Sequence, residues 1–357
     1  MLGRVFFVIV ICFYGQIVNA QKGYDAKLLS GFLISHHPEM QNMEAHVFGI
    51  EVNKFHTLKH KNKPFNQMKV GLNAMYMNLG APKINGSVIA VFYNAEANLT
   101  PKAKYPLRMR FGAGIGYITK PFKFPDNTLN KAIGTHLNGA MQLEYSKYFK
   151  LNEYMQLATG LGLTHFSNGN FKKPNLGINM PHLNIGLTYI PTSKKDEMQN
   201  FEVGSSNGPG HGLALVLGYS KREVAIDDPK RIHIFMVGAE YKIQRKLGHL
   251  YRIGTDFFFD PSYPYLKFSN EDGGYKPKEV LEHGIRVGYE WYVGRMSLTA
   301  DVGVYTFRPK KIKRMHYFVL GLDYDITRNL SAFVKLKTHL SVADYFQWGL
   351  TVSPWKL

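Results

Sequence analysis

Cysteine is nearly absent from this chain. There is one in 357 residues, Cys12, and it lies within the first twenty. That excludes a disulfide framework or a thiolate metal centre from residue 21 onward. Long apolar runs are missing too. Beyond residue 20 no stretch approaches the ~20 apolar residues that a membrane-crossing helix needs. Acidic residues are few, 26 Asp+Glu against 44 Lys+Arg, a formal charge of +18. Such an excess draws anionic partners. There is no H-E-x-x-H and no G-K-[ST] loop. Two glycine stretches match known motifs without their context. Gly112-Ala-Gly114-Ile-Gly116 lies inside a strand pattern with no helix after it, so it reads as room for side chains arriving from elsewhere. Gly204-Ser-Ser206-Asn-Gly208 fits G-x-S-x-G but sits in a polar, turn-rich stretch followed by Pro209, not between a strand and a helix.

The first twenty residues read as a signal peptide. Arg4 begins it, Val5 to Tyr14 form an apolar centre, and Val18-Asn19-Ala20 offers a cleavage site before Gln21. Ile11 precedes Cys12 where a lipoprotein signal needs a small residue. An exported basic chain seldom meets nucleic acid, and phosphorylated lipopolysaccharide is the better anionic partner.

What is present is alternation, in segments rich in Gly, Tyr and Phe. Leu183, Ile185, Leu187 and Tyr189 alternate with His182, Asn184, Gly186 and Thr188. Leu298, Ala300, Val302 and Val304 alternate with Thr299, Asp301 and Gly303. A membrane β-barrel has this pattern, because only every second residue faces lipid. The expected strands are 26–37, 43–56, 67–79, 85–99, 106–119, 135–149, 153–167, 181–190, 210–224, 231–245, 248–261, 282–294, 296–308, 314–326, 328–340 and 344–357. The fold class is therefore all-β, a transmembrane antiparallel barrel of twelve to sixteen strands in the outer membrane, the first three strands being the weakest. Turns such as Gly294-Arg295 and Thr327-Arg328 join hairpins. The organisation reads as a signal peptide over 1–20, an eight-stranded portion over 21–190, and further strands over 191–357 that complete or extend the barrel. The polar stretch 191–209 either divides two halves or is one long turn. With a periplasmic N-terminus, odd strands run outward, so 120–134, 168–180 and 262–281 are extracellular.

The most informative segment is Thr164-His-Phe-Ser-Asn-Gly-Asn-Phe-Lys-Lys-Pro-Asn-Leu-Gly-Ile-Asn-Met-Pro181. His165 and Ser167 are two apart at the end of a strand, so they share a face. That places a base beside a nucleophilic hydroxyl. Met155, Leu157, Leu161 and Leu163 have the same parity, which makes theirs the lipid face.

His165-Phe-Ser167-Asn168, followed by Pro174-Asn175-x-Gly177-Ile178, resembles the active-site segment of the PagL-type lipid A 3-O-deacylases, whose longer relatives are called acyloxyacyl hydrolases. The specific match covers about residues 160–189. The resemblance implies an outer-membrane serine esterase, free of cofactors, that hydrolyses an ester-linked acyl chain of lipid A. Ser167 would be the nucleophile and His165 the base. Asn168 would serve the oxyanion hole. The family's histidine-orienting glutamate falls at Asn179, a departure, since an amide accepts the histidine N–H but brings no full charge.

Blander readings accompany these. Pro174-Asn175-Leu176-Gly177 is a tight-turn signature that could also hold Asn179 against His165. Lys172 and Lys173 fit a lipid phosphate or a solvated loop tip. His136 fits support of the pair, or a girdle or lumen role. His36-His37 lacks further ligands for a metal. The rival function is a non-enzymatic porin-like or structural barrel. An intact His165/Ser167/Asn168 cluster favours the esterase, and the sequence leaves open which ester it cuts and whether the chain oligomerises.

Overall fold

The computed structural model describes residues 21–58, 68–191, 211–226, 228, 230–246, 249–262, 277–293, 295–309, 314–340 and 342–356. The leader over 1–20, the G-x-S-x-G stretch and most of 191–209 lie outside the described residues, as do Gly294 and most of 262–281.

Sixteen strands form two closed antiparallel barrels. The first comprises β1 (Gln21–Leu33), β2 (Ala45–Leu58), β3 (Met68–Asn78), β4 (Ser87–Asn98), β5 (Leu107–Ile118), β6 (Leu137–Lys150), β7 (Met155–Ser167) and β8 (Ile178–Tyr189). It closes where β8 pairs with β1, with Tyr24 opposite Tyr189 and Gly31 opposite His182. The second comprises β9 (His211–Glu223), β10 (Arg231–Lys246), β11 (His249–Phe259), β12 (Leu281–Val293), β13 (Met296–Phe307), β14 (His316–Asp325), β15 (Leu330–His339) and β16 (Val342–Lys356). It closes where β16 pairs with β9, Gln347 opposite Ser220. Strand pairing thus separates two halves. The strands beyond 191 make a barrel of their own. The compact units are 1–167 with 176–201, and 168–175 with 202–357.

Both barrels are inside-out relative to a water-soluble fold. On β8, Leu183 is 68% exposed while its neighbours His182 and Asn184 are buried. On β13, Val302 and Val304 are exposed and Asp301 is buried. Apolar outside and polar inside is the arrangement that lipid imposes. Among the described residues no helix is long and apolar enough to cross a membrane.

Eight strands leave an interior just wide enough for side chains to fill. In the first barrel Arg110 bridges Glu51 and Glu144, the latter at 2.8 Å, and Glu144 also takes Lys27. Lys69 pairs with Glu96 at 3.2 Å, and the Tyr148 hydroxyl donates to Glu96 at 2.8 Å. Buried charges are costly unless paired, and each of these has an oppositely charged partner. Nearer the end formed by the last residues of β1, β3, β5 and β7, the filling turns apolar. Leu33, Met40, Met43, Met77, Leu79, Ile118, Ala132, Ile133, Phe166 and Ile178 pack there into one cluster. The second interior is similar in kind. Arg286 pairs with Glu240 at 2.7 Å and Asp256 at 2.9 Å, Arg252 with Asp301 at 2.5 Å, and Lys335 with Asp323 at 3.0 Å.

The boundaries differ most at β1, expected over 26–37 and found over Gln21–Leu33. Its alternation already runs through Lys22, Tyr24 and Ala26, which point outward. It ends at Leu33, short of Pro38, which opens a 3-10 helix over Pro38–Met43. Proline has no N–H to give a ladder, and it restricts the residue before it. The Thr327-Arg328 hairpin is present, closed by Ile326 N–H to Leu330 O at 2.9 Å.

Candidate active site

β7 ends with His165 and Ser167, at the parity of its exposed positions. Leu161 and Leu163, of the same parity, are exposed, whereas Thr164 and Phe166 are buried. His165 is half-buried and Ser167 is 3% exposed. Phe166, between them, enters the apolar cluster. The room for its ring comes from Gly116, where an added Cβ would stand 2.4 Å from Phe166 Cε1. Gly116 thus gives room to a side chain from elsewhere, as the alternation suggests, whereas a Cβ at Gly114 would meet the Val91 carbonyl and one at Gly112 would make only ordinary contacts, from 3.4 Å. The ring lies on the inner side of the strand end, between the positions of His165 and Ser167.

His165 has one side-chain partner on the neighbouring strand. β8 pairs with β7 so that Asn179 stands opposite His165. The Asn179 side-chain oxygen accepts from His165 Nδ1 at 2.7 Å. A donor at Nδ1 leaves Nε2, in the neutral ring, as the acceptor. Asn179 thus meets the ring nitrogen that a nucleophile does not need.

The turn before β8 has a defined part in this geometry. Gly177 has φ +84, a conformation that favours glycine. A Cβ there would stand 2.8 Å from His165 Cε1, so the backbone lies directly against the imidazole. Gly177 N–H donates to Ala132 O at 3.0 Å, which ties the turn to the β5–β6 connection.

Asn168, next after the serine, is 5% exposed. Its main-chain N–H donates to Asn175 Oδ1 and its side-chain amide to Lys172 O, both at 2.8 Å. An amide nitrogen carries two hydrogens, and this bond uses one. Lys173 is not a solvated tip. Its ammonium donates to Asn170 Oδ1 at 2.9 Å, and burial pushes its pKa below the ordinary lysine value.

His136 is not gathered to the pair. It is exposed, stacks on Tyr117 at 5.1 Å and bonds Ile118 O at 2.8 Å, a rim role. His36, which the sequence offered only as half of a histidine pair, reaches Asn179. His36 Nδ1 stands 3.2 Å from Asn179 Nδ2, and His36 Nε2 is 2.8 Å from Leu176 O. The signal lay in barrel closure. Once β1 must pair with β8, the residues just past Leu33 fall beside the start of β8, and Ile34 does bridge Asn179. Among the described residues no three His, Cys, Asp or Glu side chains cluster to hold a metal ion.

Comparison with known proteins agrees with this division. The model of lipid A 3-O-deacylase (PagL) matches residues 48–188, and that of the acyloxyacyl hydrolase C-terminal domain matches 211–356. Among solved structures, the outer membrane enzyme PagL is 14% identical, with 47% of this chain and 99% of that one covered and a TM-score of 0.36. The Acinetobacter baumannii outer membrane protein Omp33 is 8% identical over 95% of this chain and 100% of its own, TM-score 0.19. A mutant of Rh. blastica porin is 7% identical over 93% and 99%, TM-score 0.18. No curated protein matches the chain. The molecule is of the outer-membrane β-barrel hydrolase class. It belongs to the family of PagL-type lipid A deacylases and acyloxyacyl hydrolases.

Proposed function

We propose that the chain is a serine esterase that hydrolyses an ester-linked acyl chain of lipid A, with Ser167 as nucleophile, His165 as base and Asn179 orienting the base. The observation that carries the reading is the 2.7 Å bond from His165 Nδ1 to Asn179 Oδ1, on the outer face of a barrel whose exterior is apolar. It leaves Nε2 as the proton acceptor, on a surface where an acyl chain lies. Ser167 Oγ attacks the ester carbonyl and gives its proton to His165. The tetrahedral oxyanion accepts a hydrogen bond from the remaining Asn168 amide N–H. Collapse releases the sugar hydroxyl, which carries away the proton held by His165. Water, deprotonated by His165, then cleaves the acyl-serine, freeing the fatty acid and restoring Ser167.

The eight-stranded first barrel, filled by Arg110, Glu51, Glu144 and Lys27, gives no support to a channel reading. The test is mass spectrometry of lipid A from cells with and without the protein, and with Ser167→Ala. Loss of one ester-linked chain only with the intact serine supports the esterase. Unchanged lipid A overturns it.

A further inference from the structure

His36 lies on the connection after β1 and carries no part of the proposed reaction, yet its ring is tied at both nitrogens. Leu176 O can only accept, so His36 Nε2, 2.8 Å away, carries the proton. In the neutral ring His36 Nδ1 is then an acceptor. It faces Asn179 Nδ2 at 3.2 Å, which donates. The other end of the same amide, Oδ1, accepts from His165 Nδ1. The bonds run in one direction, from His165 through Asn179 to His36, with His36 donating in turn to Leu176.

We infer that His36 is a positioning residue that holds the Asn179 amide in the orientation which fixes the His165 tautomer. The inference rests on the esterase reading for its consequence, but its geometry is independent of it. A carboxylate at position 179 presents an acceptor whichever way it turns. An amide does not. Turned over, Asn179 would offer N–H to His165 Nδ1, drawing the ring's proton to Nε2. The nitrogen that must take the serine proton would then already hold one. His36 opposes that flip, because the flipped amide would set its oxygen against the lone pair of His36 Nδ1.

The experiment uses the full-length protein in detergent with lipid A, in four forms: wild type, His36→Phe, Asn179→Glu, and the pair together. Phe keeps a ring but loses the acceptor. In the wild-type background His36→Phe is expected to lower kcat by about tenfold or more with KM unchanged, the scale of a misplaced catalytic group. In the Asn179→Glu background the same change is expected to cost less than about twofold, since a carboxylate needs no orienting, and such non-additivity is the mark of coupled residues. A second readout is independent of turnover. The ring 15N shifts of His165, assigned by their loss in His165→Ala, should report the Nδ1–H tautomer in the wild type and a mixture in His36→Phe. Wild-type kcat in His36→Phe, an equal loss in both backgrounds, or an unchanged tautomer would each overturn the role. If the wild type itself releases no fatty acid from lipid A, the esterase reading falls, and the tautomer measurement alone decides on His36.

Discussion

Asn179 accepts a 2.7 Å hydrogen bond from His165 across paired strands of one barrel, at the position where the family resemblance places a glutamate. In the proposed reaction that bond sets the tautomer and the ring plane, but it brings no charge to the imidazolium that forms when the base takes a proton.

Asn179→Glu is therefore expected to preserve or raise fatty-acid release, and Asn179→Leu to lower it by about 10- to 100-fold. Initial rates on lipid A for the three proteins decide the matter. Equal rates would remove Asn179 from the mechanism.

Ser167→Ala is expected to abolish release without disturbing assembly, because a one-atom deletion at a strand end costs little packing. His165→Ala should match it, and the double variant should be no worse than either single one, since nucleophile and base act as a unit. Heat-dependent gel mobility monitors folding. A folded Ser167→Ala that deacylates at the wild-type rate would show that another group is the nucleophile. The product should be a fatty acid from an ester, never from an amide.

Gly177→Ala combines two penalties. The residue has φ +84, and the new Cβ would press on His165 Cε1 from 2.8 Å. The backbone cost alone is about 1–2 kcal/mol. The imidazole must also move, so activity should fall further than stability. Comparing the urea midpoint with the initial rate separates the two effects.

Gly116→Ala tests the packing beneath the site. Its Cβ would meet Phe166 Cε1 at 2.4 Å, and Phe166 lies between His165 and Ser167. Reduced activity is expected, with partial recovery in Gly116→Ala/Phe166→Leu, where the smaller side chain gives the space back. Failure of the second change to recover any activity would mean that the ring does not set the strand end.

Arg110→Met should destabilise the first barrel by about 3–5 kcal/mol, because Glu51 and Glu144 would remain buried without their shared cation. Adding Glu51→Gln and Glu144→Gln should return part of that loss. The readout is the temperature at which the folded gel band disappears.

Much of this molecule is legible in its sequence because barrel patterns are local. Alternation such as Leu183/Asn184/Ile185 identifies the strand and says which face meets lipid, and the polar interior follows from the other parity. That His165 and Ser167 share one parity of β7 needs only the two-residue repeat of an extended chain. The departure at Asn179 is visible in the family resemblance, and the turn signature Pro174-Asn175-Leu176-Gly177 precedes the strand in which Asn179 stands opposite His165. The start of β1 lies about five residues before the expected one, since Gln21–Asp25 is too polar on average to announce a strand, although its parity fits.

Where a sheet closes, and which side chains from distant strands meet inside it, is not a local property. The sixteen segments would serve one large barrel or two small ones, and the choice was made by β8 pairing back to β1 and β16 to β9. That pairing joins Tyr24 to Tyr189 and sets Arg110 between Glu51 and Glu144. It also carries His36 to Asn179, a separation of 143 residues. The sequence by itself determined the strands and their lipid faces, because each depends on neighbours a few residues apart. The tertiary structure alone decided the two closures, the charged interiors and the orientation of the Asn179 amide, because each depends on hydrogen bonds or ion pairs between segments that only closure brings together.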